Sequence, residues 1–132
     1  MERLLNGQLP PLKEMSPLGL AFLGDAVYGL LVREHLLQQG NSTARRLHGI
    51  SVEWVRCEAQ AKALKAIWEA LTEDEQNWAH RGRNAHVSHI PKNAAPEDYH
   101  AATGLEVLFG ALYTEGKMER IRELFQMIVH TM

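Results

Sequence analysis

The chain has 132 residues, of which 45% are hydrophobic and 23% are charged, and its formal net charge at pH 7 is -2. This composition is typical of a single globular domain with a hydrophobic core, and it excludes a disordered chain. The near-neutral charge does not by itself indicate a nucleic-acid binder, so any such partner needs a local basic patch.

Membrane, secretory and zinc-binding classes are also disfavoured. No apolar run approaches the roughly 20 residues of a membrane-spanning helix, and the amino terminus lacks the pattern of a secretory signal. The single cysteine, Cys57, excludes an internal disulfide, and the seven histidines lack zinc-site spacing. We expect a cytoplasmic protein without a membrane partner.

Hydrophobic spacing is helical along nearly the whole chain, and capping signals divide it. Ser16 and Ser51 are candidate N-caps, Thr72 begins a capping box, and Gly40 and Gly116 follow predicted helix ends. The predicted helices cover about residues 17–39, 44–48, 52–71, 73–82, 97–115 and 118–130.

Residues 83 to 98 are predicted to form a loop, because Pro91 and Pro96 disfavour a helix interior. No segment shows the period-two alternation of a strand. The sequence therefore predicts an all-α protein in which residues 1–132 form one domain.

The first predicted helix carries a lone acid, Asp25, in its most apolar stretch, GLAFLGDAVYGLL. The residues three, four and seven positions away are uncharged: Leu18, Ala21, Phe22, Tyr28, Gly29 and Val32. A buried, unpaired carboxylate costs several kcal/mol, or its pKa shifts until it is neutral. The pattern therefore predicts a buried or nearly buried acid with a partner opposite it.

Glu106 occupies an equivalent position in the fifth predicted helix. Its neighbours on the same face are also uncharged: Tyr99, Ala102, Thr103, Phe109, Gly110 and Tyr113. Each acid has an alanine four residues before it and a glycine four residues after it, at Gly29 and Gly110. Small residues at these places predict two helix backbones in close approach.

Two interpretations of these acids remain open. In one, Asp25 caps a helix that begins at Ala26 after a turn at Gly24, and Glu106 pairs with an arginine or histidine. In the other, the carboxylates face each other across a divalent cation, since two adjacent anions otherwise repel. Magnesium accepts oxygen ligands and keeps several waters, so the second arrangement suits a phosphodiester hydrolase.

The residues around both acids resemble a known family. FLGDAV, residues 22 to 27, is similar to the signature of the ribonuclease III catalytic domain, and LEVLFGALY, residues 105 to 113, to its second acidic helix. The best match is the short bacterial form, Mini-ribonuclease III, a catalytic domain without a double-stranded-RNA-binding domain. RRLHGISVEWVRCEAQAKAL, HRGRNAH and PKNA follow the motif order of that form.

The resemblance implies that Asp25 and Glu106 are the catalytic, metal-binding acids of a magnesium-dependent endonuclease acting on double-stranded RNA. Manganese is the possible substitute. The longer enzymes carry further acids where this chain has Leu18, Ala21 and Thr103. The short form is similar in lacking them. The resemblance also implies 5′-phosphate ends and a role in maturing the large-subunit ribosomal RNA precursor.

RNA binding is assigned to two clusters of cationic and amide side chains. Phosphates and 2′-hydroxyls are the groups that such side chains contact on duplex RNA. The acid-free stretch from residue 80 to 93 supplies Arg81, Arg83, Asn84, Lys92 and Asn93, and a smaller cluster supplies Arg45 and His48. Without the resemblance, the longer stretch could equally be a solvated loop.

Phe22 is assigned to a homodimer interface, because the family packs this phenylalanine into a partner subunit. Leu18 and Tyr28 are expected to extend its apolar patch. Trp54, Trp68, Trp78 and a buried Cys57 are interpreted as packing residues.

Two other functions remain as alternatives. The chain could be a catalytically silent RNA-binding or ribosome-assembly module of the same fold. It could also be a helical interaction protein whose acids form ordinary buried salt bridges.

Overall fold

A computed structural model describes residues 3–86 and 89–132, so Val87 and Ser88, in the middle of the predicted loop, lie outside the described residues. The described parts contain no strand, which confirms the all-α prediction. None of their helices is long and apolar enough to cross a membrane. The α-helices are α1 Pro17–Gln38, α2 Ala44–Val55, α3 Cys57–Ile67, α4 Glu73–Arg83, α5 Pro96–Thr114 and α6 Met118–Thr131.

Side-chain caps fix the starts of three helices. Ser16 Oγ accepts a hydrogen bond from the Gly19 amide at 3.0 Å, and Thr43 Oγ1 accepts one from the Arg46 amide at 3.2 Å. At the start of α4, Thr72 and Glu75 form the predicted capping box, with bonds of 2.9 and 3.2 Å. These caps satisfy amides that the first helical turn leaves unpaired.

The predicted break before Ser51 is wrong. The helix continues through this residue to Val55, and the chain bends at Arg56, whose ψ is 156°. The Ser51 hydroxyl donates to the His48 carbonyl at 2.8 Å, as serine does inside a helix, and does not cap a new one. Thr43 already caps the start of this helix, so Ser51 lies inside α2 and no second helix begins there.

Helix α5 is the centre of the domain, because α1, α3, α4 and α6 all pack against it. Every residue from 101 to 112 is buried except Glu106. Tyr28 of α1 stacks on Phe109 at 5.4 Å between ring centroids, and the three tryptophans pack against the same core, as predicted. A single half-buried acid on an otherwise buried helix marks the place where α5 reaches the surface.

Candidate active site

Asp25 and Glu106 face each other where α1 crosses α5. Both line one open cavity of about 290 Å³ at the surface. The wall of the cavity is formed by Leu18, Ala21, Phe22, Asp25, Val55, Cys57, Gln60, Tyr99, Ala102, Thr103 and Glu106. The cavity wall therefore contains residues of both helix faces predicted around the acids, together with residues next to the joint between α2 and α3.

Two glycines allow the helices to approach closely enough for the acids to meet. A Cβ atom at Gly24 would lie 1.7 Å from the Glu106 carbonyl oxygen, and one at Gly110 would lie 2.0 Å from the Leu20 carbonyl oxygen. The predicted role of Gly110 is confirmed. The prediction for Gly29 is wrong, because no atom of the described residues lies within 4 Å of a Cβ there.

The expectation that Asp25 is buried is also wrong, as is the alternative that it caps a helix. Asp25 lies in the middle of α1, which is continuous from Pro17 to Gln38, and its side chain is exposed. The residues on its helix face are apolar because they border the cavity or the core, while the carboxylate itself reaches water. Exposure of one acid leaves the pair open to a ligand from solvent.

The pKa of Glu106 is raised by its surroundings. Burial, the charge of Asp25 and a hydrogen bond with Asp25 raise the pKa of Glu106 from its ordinary 4.5 to about 8, while the Gln60 side chain partly lowers it. Glu75, by contrast, is a buried acid with a cationic partner: Arg120 donates to both of its oxygens at 2.8 Å. Hydrogen bonds from Arg120 lower the pKa of Glu75.

Neither Asp25 nor Glu106 takes part in the ion pairs found among residues 3–86 and 89–132. The arginine or histidine partner considered for Glu106 is thus not found in the described part of the chain. The two acids are held together without a cationic side chain from the described residues, so they repel each other once Glu106 loses its proton. A bound cation would remove this repulsion.

The raised pKa predicts how the metal-free protein responds to pH. Between pH 4.5 and about 8, folded Glu106 holds a proton that the unfolded chain releases. The free energy of unfolding should therefore fall by roughly 1 to 3 kcal/mol as pH rises from 5 to 8. Urea unfolding in EDTA at several pH values measures this.

Two variants test the assignment of that pH dependence. Glu106→Gln should remove this fall in stability, and Asp25→Asn should reduce it by removing the adjacent charge. An unchanged pH dependence in Glu106→Gln would contradict the assignment.

Sequence reasoning missed Gln60, which lies in α3 beside Glu106 and is only 2% exposed. Its Nε2 donates to the Val55 carbonyl at 2.7 Å, across the joint between α2 and α3. The available signal was a long polar side chain among alanines on the buried face of the helix. Cys57, predicted to be buried, is half-buried at the cavity wall, where burial and Glu106 raise the pKa of its thiol.

The donor set fits magnesium. Two carboxylates supply oxygen ligands, and the exposure of Asp25 leaves room for the waters that this ion keeps. Within the described ranges, no group of three or more His, Cys, Asp or Glu side chains could enclose a metal. Two carboxylates in an open cavity suit an ion that takes few protein ligands and draws the rest from water and a phosphate.

The positions where the resemblance implies further acids in longer enzymes lie in this same cavity. Leu18, Ala21 and Thr103 all belong to its wall. The Thr103 hydroxyl donates to the Tyr99 carbonyl at 3.0 Å, so its hydrogen is already used within α5. The cavity is consequently less acidic than the family pattern, with two carboxylates.

The predicted RNA-binding stretch begins in the last turn of α4, which packs against α5 outside the wall of the acid cavity. Gly82 and Gly104 are in close contact, because a Cβ on Gly82 would lie 2.7 Å from the Gly104 Cα and 2.8 Å from the Thr103 carbonyl oxygen. The end of α4 thus lies against the part of α5 that carries Thr103. Arg81 stacks on Trp78 at 4.8 Å. The assigned side chains are exposed: Arg81, Arg83, Asn84, Lys92 and Asn93.

The smaller basic cluster lies elsewhere. His48 lines a different groove, of about 270 Å³, with Arg33 and residues of α1 and α2, and Arg45 is exposed at the start of α2. The structure does not place these residues in the wall of the acid cavity.

Phe22 projects from α1 into solvent at the rim of the acid cavity. It is 84% exposed, and Leu18 beside it is 42% exposed. Tyr28 was expected to extend this patch, but it is 1% exposed and packs in the core. The patch is therefore Phe22 and Leu18, on the side of α1 that also carries Asp25.

The fold and the facing acids together define a ribonuclease III-type nuclease domain. The sequence profile of the Ribonuclease III domain matches residues 18–117. The chain therefore belongs to the ribonuclease III domain family, a family of endoribonucleases.

Its relatives include short enzymes of similar length. A Mini-ribonuclease 3 of Symbiobacterium thermophilum is 46% identical over 112 residues, covering 85% of this chain and 86% of the relative. A Mini-ribonuclease 3 of Brevibacillus brevis is 45% identical, covering 84% and 83%. A crystal structure of a Fusobacterium nucleatum protein has a TM-score of 0.83 at 29% identity and covers 91% of this chain and 96% of its own.

Proposed function

We propose that this protein is a magnesium-dependent endoribonuclease that cleaves double-stranded RNA, with Asp25 and Glu106 as its catalytic and metal-binding acids. The observation that carries the proposal is the meeting of these two carboxylates in an open cavity without a cationic partner among the described ion pairs. Family membership supports the same chemistry. Manganese, which also accepts oxygen ligands, is the expected substitute.

The two acids have different tasks because their surroundings differ. Asp25 is exposed and can receive the ion from solvent, whereas Glu106 is half-buried and must release its proton before it can bind. When bound, magnesium supplies a water of lowered pKa and stabilises charge on the phosphate oxygens. In the hydrolysis, the water oxygen bonds to phosphorus and the bond to the 3′-oxygen breaks, which leaves a 5′-phosphate and a 3′-hydroxyl.

A cleavage assay tests this proposal. A long RNA duplex is incubated with the protein in magnesium and in EDTA, and the product ends are mapped. We expect shortened duplexes with 5′-phosphate ends in magnesium alone. Binding without cleavage in every metal condition would contradict the proposal.

That contrary outcome would support a second candidate, a catalytically silent RNA-binding or ribosome-assembly module of the same fold. The specific observation in its favour is the wall of the cavity, where Leu18, Ala21 and Thr103 replace acids of the longer enzymes. Such a module would bind duplex RNA equally well in EDTA.

The RNA surface proposed for this nuclease begins at the end of α4 and continues into the loop. Replacing Arg81, Arg83 and Lys92 by alanine should weaken duplex binding. The slope of log K against log salt should flatten by up to about one unit for each lost phosphate contact. A salt titration by fluorescence anisotropy measures this. A charge-matched control replaces Lys13, Lys62 and Lys65, and equal losses in both triple variants would contradict the assignment.

The proposed RNA contacts also include four further residues: Asn84, Asn93, Arg45 and His48. The amides are exposed on or next to the same loop, where they can donate to phosphates and 2′-hydroxyls. Arg45 and His48 serve as a separate, outer contact, because His48 lines a different groove.

The active form is proposed to be a homodimer that uses Phe22 as an anchor. An exposed phenylalanine beside an exposed leucine is suited to an interface, and a two-fold dimer presents one site to each strand of a duplex. A mixed dimer of one wild-type and one Asp25→Asn chain should bind duplex RNA but nick mainly one strand. Double-strand cutting at the wild-type rate, or full activity of a monomer, would contradict this arrangement.

The natural substrate is proposed to be the large-subunit ribosomal RNA precursor, and the place of action the cytoplasm. Resemblance to the short bacterial enzymes supports this. Incubation with that precursor should give discrete cuts, whereas an unrelated duplex of equal length should be cut less.

A further inference from the structure

Gln60 is a buried polar side chain to which the cleavage chemistry above gives no task. It lies in the wall of the acid cavity and is 2% exposed. An apolar side chain would fill this place without burying an amide. A buried amide needs hydrogen-bond partners, so its contacts show what holds it there.

The amide of Gln60 lies between the Val55 carbonyl and Glu106. Its Nε2 donates to the Val55 carbonyl at 2.7 Å, and the side chain lies with Glu106 in the cavity wall, where its hydrogen bonding lowers the pKa of that acid. One amide thus connects the joint between α2 and α3 to the acid on α5. The Val55 carbonyl can only accept, so the group of the amide that faces it must be the NH2.

The oxygen of the same amide is left without a partner. Gln60 Oε1 is buried and accepts no hydrogen bond from residues 3–86 or 89–132. Turning the amide over would place that oxygen against the Val55 carbonyl. An unsatisfied buried acceptor destabilises the fold, and this cost is consistent with a side chain kept for its donors.

We infer that Gln60 is a positioning residue that holds the Glu106 carboxylate in the orientation needed to bind the metal ion. The inference deepens the proposed function and depends on it. Partners of metal-binding side chains fix ligand orientation, and their loss typically weakens metal binding by roughly 10- to 100-fold. Gln60 would act on Glu106 in this way from α3, a helix that carries neither acid.

A purely structural role is the competing explanation, and the chain contains a control for it. Gln76 Nε2 donates to the Trp68 carbonyl at 3.1 Å, near the joint between α3 and α4, and Gln76 is not part of the acid cavity. Gln76 therefore supports a helix joint without contributing to the acid cavity.

The experiment measures magnesium binding to the RNA-free protein by titration calorimetry. Gln60→Met keeps the length of the side chain and removes its donors, and it should weaken magnesium binding by roughly 10- to 100-fold. Gln76→Met should bind magnesium like wild type. Excess magnesium should restore cleavage by Gln60→Met toward the wild-type rate. Gln60→Asn, whose amide falls one methylene short, provides a second variant if the first does not fold.

The possible results distinguish failure of this inference from failure of the proposed function. If wild type binds no magnesium, the proposed function fails. If wild type binds magnesium and folded Gln60→Met or Gln60→Asn binds it equally well, the inference alone is overturned. Equal weakening in Gln76→Met would likewise overturn it, since the effect would then come from the helix joints.

Discussion

Asp25→Asn should lower the rate of duplex RNA cleavage by at least about 1000-fold, because the site then loses one of its two charged metal ligands. A metal ion contributes several kcal/mol to stabilising the transition state, and about 4 kcal/mol corresponds to this factor. The variant should remain folded, since Asp25 is exposed and forms no ion pair among the described residues. Removing a charge beside Glu106 should leave the melting temperature equal or slightly higher.

Single-turnover cleavage and thermal melting, measured on the same preparation, test this expectation. Glu34→Gln is the matched control, because Glu34 is an exposed acid on α1 outside the acid cavity. It should cleave like wild type. Strong residual cleavage by Asp25→Asn, together with a large loss of stability, would assign Asp25 a structural role.

Gly24→Ala should destabilise the fold by roughly 3 kcal/mol or more, an overpacking effect at the upper end of the usual range. Its new methyl group would lie 1.7 Å from the Glu106 carbonyl oxygen and 2.9 Å from the Gly110 nitrogen. Both are backbone atoms, so no side chain can rotate away, and α1 must separate from α5. The separation would also move Asp25 away from Glu106.

Gly29→Ala is the control for this prediction, since it makes the same change on the same helix. In the described part of the chain no atom lies within 4 Å of a Cβ at Gly29, so the alanine should stabilise the helix by about 0.5 to 1 kcal/mol. Urea unfolding of both variants measures the difference. Equal stability of the two variants would contradict the close helix approach on which the site depends.

The positions of most helices could be predicted because local signals decide them. Ser16, Thr72 and Gly116 act within one turn of the chain, and the structure shows two caps and a glycine with φ of 72° at these places. The joint at Arg56 could not be predicted. The sequence shows Ser51 as a possible N-cap. The hydrogen bond from Gln60 to the Val55 carbonyl, in contrast, depends on the bend of the folded chain at Arg56.

The pairing of Asp25 with Glu106 could be predicted, because each is an isolated acid on an apolar helix. The glycine that allows this pairing could not be predicted, because the choice between Gly24 and Gly29 depends on how α1 is rotated against α5. Helical spacing places residues on one face but does not say which neighbour that face meets. The burial of Tyr28 was missed for the same reason: helical spacing grouped it with Phe22, but Tyr28 points at Phe109 whereas Phe22 points at solvent.

Crystals grown with Mn²⁺ would test the central claim most directly, because the anomalous signal of this ion locates it without assumptions. We predict one strong peak with carboxylate oxygens of both Asp25 and Glu106 about 2 Å away, a distance typical of small hard cations. The peak should be absent from crystals of Asp25→Asn. A peak that touches only one of the two acids, or that persists in the variant, would contradict the account.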